Sequence, residues 1–378
     1  MKNDTLSFEE KKNLLLDKIH QLKVRSSRFD DINTIAKKAG LTSSNGFDSL
    51  ASKISKVEGK NDESIINEIF EQVNEHLESH TALDPKRIYL YEVPKDELEE
   101  IKELFDSHQL FNTKLIQGNE KLFDYSLIND NKHYSSLVHK VSDTLFIYYI
   151  KGIRSYVEKI HSPSLMAEAE ASEDDGEVID VLKVVRHTVT VFDFVAIDLK
   201  NNCLIYGLDL DNGKFIKAEL NKGYSKLYDV FKNNFSSFNL KPINLRPCIK
   251  KMEVEAVGNV TKHSFATDDG SYSYTGGSST QKLDARDDVF YDEGIKNVSP
   301  DYFGVRKRYT LKNKDEPIIA IEMGYREYRA SATSEIRHAI LYNLTKFESL
   351  QFCIDKIIKC YCYFFIFNYC RYIVLFSR

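Results

Sequence analysis

The sequence predicts an α+β protein, an N-terminal helical module followed by mixed α/β and strand-rich regions. Three observations carry that prediction. Apolar residues recur every three or four positions through residues 1–80, the spacing of helices that each bury one face. Runs rich in β-branched and aromatic residues then appear at 87–93, 143–150 and 181–210, bounded by turn-forming residues. Helical patterns return between these runs, which excludes an all-β chain.

The first helix is predicted over 7–24, where Leu14, Leu15, Ile19 and Leu22 share a face. Ser7 followed by Glu10 supplies a capping box, each side chain serving the other's backbone N–H. Helices over 30–38, 44–57 and 62–79 complete a module spanning 1–80, the last with Ile65, Ile66, Ile69, Phe70, Val73 and Leu77 as its buried stripe. TALDPK breaks the helical pattern. A strand at 87–93, a helix from Lys95 after Pro94, and a strand at 143–150 form a small α/β unit over 85–165. Residues 166–180 read as an acidic linker, with seven acidic and no basic residues from Glu168 to Asp180. An α+β domain follows over 181–350. It holds strands at 181–199 and 201–210, a DNG turn at 211–213, and a strand at KFIKAEL. A helix at 222–238, a strand at 251–257 and a polar glycine-rich loop at 267–280 come next. A strand at 316–324 and a helix starting near Ser331 complete the domain. The tail, 351–378, is rich in aromatic residues and cysteine.

Composition limits the function classes. Against 52 Lys and Arg stand 57 Asp and Glu, a formal charge of -5, which excludes a globally basic nucleic-acid coat but not a local basic surface. A hydrophobic content of 42% excludes wholesale disorder. The Met1 end lacks an apolar signal run, and four of the six cysteines, Cys353, Cys360, Cys362 and Cys370, crowd the tail instead of forming a disulfide framework. A reducing cytoplasm is the expected compartment. Cys360 to Cys370 is uncharged but falls short of the roughly 20 apolar residues that cross a bilayer. The tail is therefore open to three readings: a buried helix completed by an oligomer partner, a membrane-associated segment, or an aberrant end.

Two constellations point toward nucleic acid. DINTIAKKAGLTSS, residues 31–44, sets a small Ala36 four positions before Gly40, so that two helices can approach and the chain can turn. This resembles the generic helix-turn-helix pattern over about 25 residues. It departs from that pattern in placing Phe47 and Leu50 one position late. A recognition helix over 44–56 would offer Ser44, Asn45, Ser49, Ser52, Lys53 and Lys56 to phosphates and base edges. The module itself carries 12 basic and 14 acidic residues, so a second basic surface would be needed. Residues 221–251 offer one: Lys222, Lys226, Lys232, Lys241, Arg246, Lys250 and Lys251 against Asp229. The aromatic residues interleaved among the first of these recur at helical spacing and are expected in the core.

An enzyme alternative is a divalent-metal nuclease of the Asp…Asp-x-Lys type, with Asp180 and Asp198 holding Mg²⁺ or Mn²⁺ and Lys200 on the same strand face orienting water. No other cofactor is expected, because the chain lacks a phosphate-binding glycine loop, an HExxH helix and a nucleophile elbow. The sequence thus favours a cytoplasmic accessory or regulatory protein that contacts nucleic acid, in a mobile-element or antiviral-defence setting. The alternatives are the nuclease and a protein-interaction scaffold, the latter with a protein partner or a second copy of itself.

Overall fold

The computed structural model describes residues 6–25, 27–58, 63–83, 85–107, 136–161, 182–210, 217–234, 241–267, 272–276, 284–296, 298–330 and 334–375. The N-terminal module is built from α1 (Phe8–Val24), α2 (Phe29–Lys38), α3 (Phe47–Ser55) and α4 (Glu63–Leu83). Ser7 and Glu10 form the capping box expected at its start. Leu15, Ile19, Leu22, Ile32, Leu50, Ile54 and the stripe Ile66, Ile69, Phe70, Val73 and Leu77 bury one another in a core of their own. α2 ends because Gly40 takes a φ of 105°. This lets the N–H groups of Gly40 and Leu41 turn back onto the carbonyls of Lys37 and Ala36.

The rest of the described chain is organised on one ten-stranded sheet with every neighbouring pair antiparallel. Its strands are β1 (Lys86–Glu92), β2 (Ser136–Lys140), β3 (Leu145–His161), β4 (Leu182–Asp198), β5 (Cys203–Asp209), β6 (Asn259–Ala266), β7 (Tyr272–Gly276), β8 (Asp301–Arg308), β9 (Ile318–Glu322) and β10 (Ala339–Tyr342), in the order β2-β3-β4-β5-β1-β10-β9-β8-β6-β7. Strands from 85–165 and from 181–350 therefore share one sheet. The period of two along each strand sends alternate residues to opposite faces. On one face Tyr91, Tyr148, Val195 and Tyr206 meet α5 (Lys95–Asp106) through Leu98, Ile101 and Phe105, and α6 (Lys217–Asn234) through Leu227 and Phe231. On the other, Leu90, Ile147, Phe194, Ile205 and Leu341 meet α7 (Arg246–Val254) and α10 (Phe347–Leu375). Shorter helices α8 (Val289–Ile295) and α9 (Tyr325–Ala330) flank the β6–β10 half.

Several segments differ from the sequence expectation, each for a physical reason. The segment read as a strand at KFIKAEL is helical from Lys217, because Leu220, Tyr224, Leu227 and Phe231 continue the helical period toward the N-terminus. The segment 251–257 lies partly in α7: Pro247 starts that helix in its first turn, and Cys248, Ile249 and Met252 bury its inner side. Val254 and Val257, the β-branched residues of that segment, are exposed. The start of the helix expected near Ser331 lies outside the described residues; α9 ends before it, residues 334–338 are not helical, and β10 follows to bridge β1 and β9. Part of the polar loop at 267–280 is edge strand β7. The strand at 143–150 runs on to His161, paired with β4 along its whole length.

The tail is helical through Leu375. Its first turns bury Leu350, Cys353, Ile354, Ile357 and Ile358 against the sheet, as in the buried-helix reading. Side chains beyond Tyr361, Cys362 and Cys370 among them, lie outside the described residues. No helix among the described residues is long and apolar enough to cross a membrane.

Candidate functional site

The residues singled out from sequence do not gather into one site. Asp180 lies outside the described residues. β4 ends at Asp198, so Lys200 sits in the following turn and not on the shared strand face that a nuclease arrangement needs. The Asp198 carboxylate is buried and accepts the N–H groups of Lys200 and Asn201, each at 3.1 Å, and the Asn201 side-chain amide at 2.7 Å. Lys200 pairs with Asp355 on α10 at 3.3 Å. These groups close a turn against a helix. No cluster of His, Cys, Asp and Glu suited to a metal ion occurs among the described residues.

Local structure also occupies much of the presumed recognition helix. Residues 39–46 separate α2 from α3, a longer link than the three- to four-residue turn of a helix-turn-helix unit. Ser44 is buried and its N–H donates to Asn33 Oδ1 at 3.0 Å. Lys53 Nζ donates to Thr42 Oγ1 at 3.1 Å and to the Ser43 carbonyl at 2.5 Å, fastening that link. Asn45, Ser49 and Lys56 remain exposed. The lysines of 221–251 separate more widely. Lys222, Lys226 and Lys232 are exposed on α6, which covers one face of the sheet; Lys250 and Lys251 are on α7, which covers the other. Lys222 pairs with Glu219 at 2.6 Å, and Lys251 donates to the Cys360 carbonyl at 2.6 Å. A basic run in sequence has become two surfaces on opposite sides of a sheet.

Sequence spacing gave no sign of the charged junction between the helical module and the sheet. Arg25, at the end of α1, holds both carboxylate oxygens of Asp209 on β5 at 3.0 and 2.9 Å. Lys86 on β1 lies 3.5 Å from the same carboxylate and donates to the carbonyls of Thr81 and Phe192. Asp193 on β4 accepts the Asp209 N–H at 2.9 Å and the Arg154 guanidinium of β3 at 2.5 Å. All five side chains are buried. Burial by itself would raise the Asp209 carboxyl, but Arg25 and Lys86 hold it well below the usual carboxylate range. Burial lowers Lys86 to about 8 against the pull of Asp209. Such a cluster is tolerated because each charge has an opposite charge and the remaining lone pairs meet backbone N–H groups.

Beside this junction a cleft of about 440 Å³ opens between α2, α4 and residues 343–345. Its wall carries Ser27, Asp31, His76 and His80. Ser27 Oγ is 3.0 Å from His76 Nε2, and the His76 and His80 rings lie parallel with centroids 6.2 Å apart. Burial, with Arg25 adding its positive charge, lowers His80 to about 3. Burial also lowers His76, partly opposed by Asp31.

The second feature missed from sequence is an arm. Among the described residues, β2 pairs with β3 through Ile150 and β5 pairs with β4 from Phe194. Beyond those points, residues 151–161 and 182–192 pair only with each other among the described residues. The resulting two-stranded ribbon runs roughly 35 Å at strand rise. Its base is covered: Val191 packs with Leu210 and Leu220, and the Arg154 guanidinium passes so close to Gly223 of α6 that an added Cβ would meet it at 2.4 Å. Among the described residues, none packs over its far half. Val157, Leu182 and Val184 share one face and are 52%, 43% and 62% exposed, interleaved with exposed Lys159 and Arg186.

Comparison with known proteins finds no matching family model and no matching curated protein.

Proposed function

We propose that the chain is an accessory interaction protein that works as a self-associated assembly, with the β3/β4 arm as its docking element. The observation that carries this reading is the exposed aliphatic face of Val157, Leu182 and Val184 on the outer half of the β3/β4 ribbon. An exposed aliphatic face favours burial against a partner. A second copy offers the same face, and two arms can lie side by side across a two-fold axis. The aliphatic faces of the two arms then become contiguous.

Nucleic-acid contact is less well supported by the arrangement, because Ser44, Lys53 and Lys251 serve local bonds and the α6 and α7 lysines lie on opposite sheet faces. The cytoplasmic setting belongs to the same proposal; Cys203, Cys248, Cys353 and Cys360 are buried thiols, as suits a reducing compartment. The reading is tested by the mass of the purified chain as a function of concentration. It predicts a reversible dimer that Val157→Lys, placed beside Lys159 and Arg186, dissociates by at least about tenfold.

A further inference from the structure

We propose that Ser27 and His76 are a nucleophile–base pair able to open small acyl esters in the cleft between the helical module and the sheet. The proposal stands apart from the arm and does not depend on self-association. Its first support is geometric: the 3.0 Å between Ser27 Oγ and His76 Nε2 lies within the roughly 2.6–3.2 Å over which a base takes a hydroxyl proton. The second is placement. Both side chains line the same cleft, whose volume of about 440 Å³ suits a small ligand. A Ser–His hydrogen bond inside a packed core would have no such access.

The surroundings fit the roles. When the Ser27 hydroxyl donates to Nε2, the His76 ring carries its own proton on Nδ1. Burial favours the neutral ring, which is the form that can accept a proton. Asp31, in the same cleft, acts on His76 by its charge and stabilises the imidazolium formed during reaction. α2 starts at Phe29, two residues beyond Ser27, with no side-chain cap on its first turn. Its leading N–H groups follow the nucleophile closely in the chain and are the candidates to meet the charge that develops on a carbonyl oxygen. Ile35 and Leu344 give the cleft apolar wall, while Asp31 and Glu75 outnumber Arg28 in the lining and disfavour an anion. The substrate class is therefore an uncharged or cationic ester with a small acyl group.

The step uses only ester and water. Ser27 Oγ bonds to the carbonyl carbon as its proton passes to His76 Nε2. The carbon–alkoxide bond then breaks, and the departing oxygen takes that proton to leave as an alcohol. Water next gives a proton to His76 and attacks the acyl carbon; the carboxylic acid departs and Ser27 regains its hydrogen.

The test uses the full wild-type chain and an alkyl fluorophosphonate, which bonds irreversibly to an activated serine. Intact mass should rise by one adduct, and peptide mapping should place it on Ser27. His76→Gln should slow the labelling by at least about 100-fold. His20→Gln, on the exposed side of α1 and outside the cleft, should label at close to the wild-type rate. Absence of an adduct on Ser27 in the folded wild-type protein overturns the proposal without reference to any variant. Labelling of His76→Gln at the wild-type rate overturns the role of the base.

Discussion

The two halves of the β3/β4 hairpin invert the usual distribution of side chains. At its base, Arg154 and Asp193 are charged, buried and paired. A few residues outward on the same two strands, Val157 and Val184 are aliphatic and exposed. A hairpin serving only its own fold would do the reverse, since burying charge costs free energy and exposing aliphatic surface forgoes its burial. The difference shows what each half meets. The base meets the helical module through Asp209 and Arg25, so its polar groups are matched from within the chain. Nothing among the described residues covers the outer half, and its exposed aliphatic residues are the basis of the docking role proposed for it.

The comparison is broken most severely at the base. Asp209→Asn leaves Arg25, Lys86 and Arg154 with too little negative charge in a buried site, and urea unfolding should show a loss of about 3–5 kcal/mol. A loss under 1 kcal/mol would mean the junction does not hold the module to the sheet. Asp198→Ala removes the acceptor of three turn hydrogen bonds and should cost about 1–3 kcal/mol in the same measurement. Cleavage of nucleic acid that is sensitive to chelator and abolished by this change would instead restore a metal-site role for the carboxylate.

The junction also sets an acid limit. His80 titrates near 3 when folded, against 6.5 as its ordinary value. Between these values the unfolded chain binds the extra proton, so the contribution of His80 is fully present above 6.5 and is lost as pH falls toward 3. His338, held near 4 mainly by burial, adds a dependence of the same sign. His80→Gln should flatten the fall in stability below pH 6.5 by up to about 1.4 kcal/mol per pH unit. An unchanged slope would contradict the buried neutral ring. The outer arm should be the least sensitive region: Val157→Lys should change the stability of the single chain by no more than about 0.5 kcal/mol, because the side chain is exposed.

What could be read from sequence divides along the same line. The four helices of the module were legible because Leu15, Ile19 and Leu22, then Ile66, Ile69, Phe70 and Val73, repeat one period long enough to exclude alternatives. Segment 251–257 misled because Met252, Val254 and Ala256 alternate over only a few residues, and such a pattern cannot tell a short exposed helix end from a strand. The candidate sites were mostly illegible. Arg25 and Asp209 are 184 positions apart, and Ser27 and His76 are 49 apart, so neither pair has a local signature. The lysines of 221–251 were legible as a charge run, but chain proximity could not show that α6 and α7 would cover opposite faces of the sheet. Nor could it show that Lys200 would leave the strand to meet Asp355.

Sedimentation equilibrium of the full chain, beside the Val157→Lys variant over the same concentrations, tests the arm most directly. The wild-type chain should shift from one to two copies as concentration rises, with the variant displaced toward the single chain while its unfolding midpoint stays the same. A wild-type protein that remains a single chain throughout, or a variant that dimerises equally well, would contradict the role assigned to the arm.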